Sequence, residues 1–219
     1  MDSRMGRADG KRYSLNDMVK VDCHDCSGCS ACCRDMGQSV LLDPLDVYRL
    51  GQHLGQTFAQ LMESAVELHV EDGLILPNLK MAGNDPHCFF LNEEGRCGIH
   101  GFRPGICRLF PLGREYEGDR VRYFLLEGAC PAKNKSKIKV RKWLDLDGAE
   151  GYEAFLVRWH GLTRRLRQYL TEHAQDEETA RGVNLSFLQI FFMKPYAEGD
   201  FYCEFAQRME AFAQRVSLQ

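Results

Sequence analysis

Five cysteines crowd into eleven residues: Cys23, Cys26, Cys29, Cys32 and Cys33, within VDCHDCSGCSACCRDM. Three C-x-x-C steps end in a vicinal pair. Such a step lets a short turn bring two sulfurs to one tetrahedral ion. It also recurs in loops that hold iron–sulfur clusters. Four more cysteines follow: Cys88, Cys97, Cys107 and Cys130. The first three of these are separated by eight and nine residues, loops that fold back on one point at little entropic cost. Cys130 precedes Pro131, a pairing also found in ferredoxin-type loops. Cys203 stands apart and reads as a free thiol on a helix.

Nine thiols exceed the four that one tetrahedral ion takes. Adjacent Cys32 and Cys33 point in different directions, so they serve two metals, or one of them bridges. The alternative is a ligand beside a free thiol packed as a small hydrophobe. The expected centre is polynuclear: iron–sulfur clusters, or several zinc ions sharing sulfurs. Soft thiolates suit both, and spacing does not choose between them. Thiolates in such numbers accumulate negative charge. Arg34, Arg96, Arg103 and Arg108 flank the cysteines and are suited to hydrogen-bond sulfur and offset it. Of these, Arg34, Arg103 and Arg108 are the candidates for contact with the bound group. His24, His87 and His100 are near cysteines and are potential zinc ligands, secondary to the abundant sulfur.

With 219 residues and a net charge of −3, the chain is long enough to bury a core without metal or disulfides. It has neither the charge of a general nucleic-acid binder nor a reason for membrane attraction. No apolar run approaches the ~20 residues of a spanning helix. The polar N-terminus lacks the apolar core of a signal peptide. A cytoplasmic location is expected, where clustered cysteines bind metal or do redox work rather than form disulfides.

The elements that must position these residues read as an α-rich α+β fold. An irregular cysteine-rich core carries short helices and hairpins, and helices follow at the C-terminal end. Residues 1–20 form a polar arm, 21–131 the cysteine-cluster domain and 132–219 a helical extension packed on it. Asp43-Pro44 opens a helix, and Thr57 caps a second. VELHVEDGLILPNLKM, 66–81, reads as a hairpin turning at Asp72-Gly73, and 115–127 as another turning at Glu117-Gly118-Asp119. Residues 84–111, rich in Gly and Pro, are mostly loop. From 149 to 175 the apolar spacing marks a long amphipathic helix, and 201–216 carries a second stripe. Both stripes read as core. The six positive charges of KNKSKIKVRK, 133–142, read first as a solvated face, with nucleic-acid binding and docking of an acidic redox partner as the alternatives.

Several separated motifs now stand in order: Cys26-x2-Cys29-x2-Cys32-Cys33, then Cys88-Phe-Phe-Leu, Gly95-Arg-Cys97-Gly-Ile-His100 and Arg103-Pro-Gly-Ile-Cys107-Arg-Leu-Phe-Pro111. Together they resemble the CxxCxxCC, or YkgJ-type, cysteine-cluster family, over about residues 22–131. Those proteins are described as zinc- or iron-chelating and often as iron–sulfur proteins. The resemblance implies a metal site at Cys26, Cys29, Cys32, Cys33, Cys88, Cys97 and Cys107, with Cys130 added. Cys23 lies outside the family motif. No reaction is implied. A flagellin lysine N-methylase shares the cysteine pattern, but no glycine-rich strand–loop–helix for S-adenosylmethionine is present here.

The expected function is that of an iron–sulfur protein with an electron-transfer or redox-accessory role. The alternative is a zinc-thiolate interaction module or metal carrier. A redox or other protein partner is expected, with no nucleic acid and no membrane; no oligomeric state is read from the sequence.

Overall fold

A computed structural model describes residues 6–23, 26, 29–146, 148–197 and 199–216 of the chain. Along it run β1 (Arg7–Ala8), β2 (Met18–Asp22), α1 (Pro44–Leu54), α2 (Phe58–Ser64), β3 (Val66–Glu71), β4 (Leu74–Leu79), β5 (Met81–Ala82) and β6 (His87–Cys88). Then come α3 (Gly105–Leu109), β7 (Leu112–Glu117), β8 (Arg120–Glu127), β9 (Ser136–Lys139), α4 (Val140–Leu144), α5 (Ala149–Glu172), α6 (Glu177–Leu188) and α7 (Phe201–Val216). The sheets are small and antiparallel: one in the order β1-β8-β7, and the pairs β2-β9, β3-β4 and β5-β6. The fold is the expected α-rich α+β class. It divides into two compact units, residues 1–37 with 81–157, and residues 38–80 with 158–219.

The first unit holds all the clustered cysteines. Its N-terminal polar stretch carries strands: Arg7 and Ala8 pair with Glu127 and Leu126, and Tyr13 bridges Tyr123. Strand β2 pairs with β9 through Val19 opposite Ile138 and Lys20 opposite Lys137. The alternation MVKVD is too short to stand out among polar residues, yet it buries Val19 and Val21 almost completely. Hairpin β7–β8 turns at Gly118, whose φ of 63° is the left-handed conformation that glycine adopts without strain. Tyr123, Val140, Leu144, Tyr152 and Leu156 fill the core of this unit.

In the second unit, local signals and structure agree closely. The Asp43 carboxylate accepts the Asp46 N–H at 2.9 Å, and the Asp46 carboxylate accepts the Asp43 N–H at 3.1 Å. Thr57 and Gln60 repeat this reciprocal capping at α2. Each cap contributes about 1 kcal/mol. Strands β3 and β4 join through Asp72 and Gly73, both at positive φ, a turn that matches the twist of a hairpin. The aromatic stripes are core. Trp159 stacks on Phe187 with centroids 5.4 Å apart, and Phe191 meets Phe212 edge-on at 5.4 Å. Tyr48 of α1 packs on Phe201 of α7 at 5.3 Å. After α6 the helix widens into a π-helical turn at Gln189–Met193. The buried Arg208 takes one carbonyl of this turn and two just beyond it, donating to the Ile190, Lys194 and Pro195 oxygens at 2.6–2.7 Å. Among the described residues no helix is long and apolar enough to cross a membrane.

Candidate metal centre

The two cysteine segments are knitted together by backbone and by arginine. The first leaves β2 at Cys23 and ends in a 3₁₀ turn, Ala31–Cys33. The second starts at β6 and turns back through Gly95, with Leu91 bridging Cys97 and the Gly98 N–H donating to the Phe90 carbonyl at 2.8 Å. Between them, the Asp35 N–H donates to the Pro86 carbonyl at 2.7 Å, and Arg34 forms an isolated bridge with His87. Arg34 Nη1 pairs with Asp85 at 2.9 Å. Arg96 Nη1 donates to the Cys26 carbonyl at 3.0 Å. Few of these residues are apolar, so directional contacts rather than area burial set the juxtaposition.

None of the ten cysteines, all among the described residues, is in a disulfide. Cys23 and Cys26 place their sulfurs 3.6 Å apart. That is far beyond a disulfide bond of about 2.05 Å. It is close to the ~3.8 Å edge of a tetrahedron drawn with ~2.3 Å metal–sulfur bonds. Cys26 is held at φ 55°, a left-handed conformation that costs a non-glycine residue about 1 kcal/mol. Its carbonyl accepts the Cys29 N–H at 3.1 Å, which closes the first C-x-x-C turn.

Cys32, Cys33 and Cys97 perturb one another's titration, with Cys33 in the middle. The influence of Cys33 pulls the Cys32 thiol down to about 7 and the Cys97 thiol down to about 6. The same two neighbours push Cys33 itself above the ordinary thiol range. Burial raises Cys88, which also feels the charge of Cys97 and Cys32. Burial and the Cys23 contact raise Cys26 to about 12. The Arg103 guanidinium favours the thiolates of Cys26, Cys32 and Cys97, and Arg96 adds to this at Cys97.

Six of the nine candidate thiols are linked, Cys23 to Cys26 by contact, and Cys26, Cys32, Cys33, Cys88 and Cys97 by their influence on one another's titration. The other three are located by their backbones. Cys29 closes the turn after Cys26, Cys107 lies on α3, and Cys130 lies before β9, where its carbonyl accepts Lys135 Nζ at 2.8 Å. Among the described residues no group of three or more His, Cys, Asp and Glu stands ready-made around a metal ion. Cys23 and Cys26 meet as a pair. The chemistry of the thiols fits a soft metal nonetheless: half-buried sulfurs, two with lowered pKa, and guanidinium charge beside them.

The arginines divide by role. Arg103 faces the thiols and donates through Nη1 to the His100 carbonyl at 2.8 Å. Arg34 is engaged with Asp85 and donates to Ser30 Oγ at 3.3 Å. Arg108, buried to 3% exposure, donates to the backbone carbonyls of Arg103, Asp145 and Gly101. It fixes the loop that carries Arg103. His100 sets a ring nitrogen 2.9 Å from Arg103 Nη1. His87 Nδ1 lies 2.8 Å from the Asp85 carbonyl. His24 lies outside the described residues. The grip of Arg96 on the Cys26 carbonyl was signalled in sequence only by its place beside Cys97.

The model of the CxxCxxCC family, described as a "putative zinc- or iron-chelating domain", matches residues 25–139. That is more than half of the chain. The chain belongs to the CxxCxxCC family. The match spans both cysteine segments and runs through Cys130 to the end of β9. It leaves out Cys23, although that sulfur touches Cys26. No curated protein and no solved structure is matched by the chain. Zinc and iron are the two metals that the CxxCxxCC description names.

Proposed function

We propose that this CxxCxxCC protein builds a polynuclear cysteine–metal centre, that the native group is an iron–sulfur cluster, and that it serves electron transfer or an accessory redox role in the cytoplasm. One observation carries the reading: the two cysteine segments are held side by side, with the Asp35 N–H on the Pro86 carbonyl at 2.7 Å and Arg96 Nη1 on the Cys26 carbonyl at 3.0 Å. The proposed ligands are Cys26, Cys29, Cys32, Cys33, Cys88, Cys97 and Cys107, with Cys23 and Cys130 at the margin. An iron–sulfur cluster supplies one-electron chemistry at a potential set by net charge, solvent exposure and hydrogen bonds to sulfur. The surrounding residues suit that task. Arg103 and Arg96 offset thiolate charge, Arg108 holds the Arg103 loop, and burial of Cys88 limits water on one side.

A second reading has its own support. The 3.6 Å between the Cys23 and Cys26 sulfurs suits two thiolates on one tetrahedral ion, as in a structural zinc site. On that reading the protein is a zinc-thiolate interaction module or a metal carrier.

Purification without oxygen decides between them. The iron–sulfur reading expects a brown protein with visible absorption, iron and acid-labile sulfide. A colourless anaerobic preparation with stoichiometric zinc and no sulfide overturns it in favour of zinc. Aerobic material does not serve, because clusters lost to oxygen leave thiolates that zinc refills.

A further inference from the structure

The ribbon β2–β9 leads straight into the cysteine centre. Strand β2 ends at Asp22, one residue before Cys23, and β9 begins six residues after Cys130. Its ladder places Met18 opposite Lys139 and Lys20 opposite Lys137. Opposed residues of an antiparallel pair project from the same face. The other face carries Val19 and Val21, both buried. The outward face therefore presents Lys20, Lys137 and Lys139, all exposed, around Met18 at 49% exposure.

This arrangement works against the ribbon's own stability. Like charges directly opposite on a sheet face repel, yet Lys20 and Lys137 are so placed. Among the described residues none of the three lysines makes an ion pair or a side-chain hydrogen bond. The acids nearest in sequence are engaged elsewhere: Asp17 accepts from Ser14, and Asp22 accepts from Ser136 Oγ at 2.8 Å. Two neighbouring cations behave differently. Lys135 holds the Cys130 carbonyl and Arg141 pairs with Glu150. Lys133 and Lys142 also make no ion pair or side-chain hydrogen bond among the described residues, but they lie outside the ribbon; on its outward face three such lysines gather around an exposed methionine. An apolar contact ringed by one sign of charge is the make-up of a protein-docking patch.

We propose that the face formed by Met18, Lys20, Lys137 and Lys139 docks an acidic protein surface and brings that partner next to the cysteine centre. A polynucleotide fits less well. The chain as a whole carries a charge of −3, and the patch offers no aromatic ring on which a base can stack. Only the purpose of docking rests on the metal centre; the charge and exposure of the ribbon do not.

The test uses the full chain and a labelled acidic peptide of alternating Glu and Ala as the probe. Fluorescence anisotropy should show binding that weakens steeply as salt rises past about 0.15 M. Amide shifts on titration should centre on β2 and β9. The triple variant Lys20→Gln, Lys137→Gln, Lys139→Gln should bind about tenfold more weakly or worse, and Lys133→Gln with Lys142→Gln should change little. Because neutralisation removes the Lys20–Lys137 repulsion, the triple variant should fold at least as well as the parent. Peptide binding equal in parent and triple variant overturns the proposal. So does tighter binding of a labelled DNA duplex at the same salt with the same lysine dependence, which gives the face to nucleic acid. Metal content measured on the same samples keeps the two readings apart. Peptide binding by a chain that takes up no metal sinks the metal centre alone. Full metal content without peptide binding sinks the docking face alone.

Discussion

Arg96, beside Cys97 in the second cysteine segment, donates through Nη1 to the carbonyl of Cys26 in the first at 3.0 Å. This contact ties the two segments together, and the proposal that they share one site predicts a pattern of losses. Cys33→Ala and Cys97→Ala should each lower the metal bound per chain. The double variant should lose little more than either, because residues of one site do not act additively. Cys203→Ala should leave metal content unchanged, since Cys203 is exposed on α7 and outside the cysteine-bearing unit. Metal analysis of the purified variants checks this. Additive losses from Cys33 and Cys97 would separate the segments into two independent sites.

The uneven titration of the thiols sets a pH dependence. Metal binds thiolate, so every thiol still protonated must release its proton on binding. Cys26, Cys33 and Cys88 lie above the ordinary thiol value, while Cys32 and Cys97 lie below it at about 7 and 6. Each proton released strengthens apparent affinity by about tenfold per pH unit. Zinc affinity, measured by competition with a chelator, should therefore keep rising well above neutral pH. A profile that flattens near about pH 8 would mean that only thiols already ionised by then, such as Cys32 and Cys97, take part.

Asn184 tests the second unit without touching metal. Its Oδ1 accepts the Ile75 N–H at 2.7 Å, and its Nδ2 donates to the Gly73 and Ala180 carbonyls at 3.0 Å each. The residue is buried, so α6 is bolted to the turn of the β3–β4 hairpin. Asn184→Leu keeps the volume but takes from the Ile75 N–H and the Gly73 carbonyl their side-chain partner. It should cost about 2 kcal/mol, or roughly 4–8 °C in Tm for a chain of this size. Thermal unfolding followed by circular dichroism measures it, and metal content should stay at the parent value.

What the sequence disclosed and what it hid follow from the range of each interaction. Asp43, Pro44, Thr57 and Gln60 announce α1 and α2 because a cap is local chemistry. Asp72-Gly73 and Gly118 announce their hairpins for the same reason. The strand in MVKVD carries no such signal, since five residues with two buried valines give too little periodicity. Tyr48 against Phe201, and Phe58 against Phe192 at 5.7 Å, were equally hidden. They join helices from the middle of the chain to helices at its end, and no local pattern encodes that partnership. At the site, cysteine spacing pointed to the thiols. It could not assign Arg108 to the backbone carbonyls of the Arg103 loop, because an arginine beside a cysteine looks the same whichever way it turns.

Removing the metal should divide the chain along lines that local sequence does not show. Residues 22–37 and 81–111 are rich in Cys, Gly and Pro and hold together through turns and directional bonds. Metal binding should supply much of the free energy that fixes them. Residues 38–80 lie between these segments in sequence, but their support is apolar. Leu42, Leu50, Leu61, Val66, Leu74 and Leu79 are each at most 2% exposed, and they belong to the same unit as α6 and α7. At about 1.5–3 kcal/mol for each buried leucine or valine, this core does not depend on the thiols. Chelation, or Cys29→Ala, should therefore open 22–37 and 81–111 to limited proteolysis while 38–80 stays as protected as 158–216. Mass spectrometry of the fragments reads the pattern directly. Cleavage spread evenly from 22 to 111 would tie α1, α2 and the β3–β4 hairpin to the metal. Equal protection of both units after complete metal removal would show a fold that stands without its centre, and would leave that centre to redox chemistry alone.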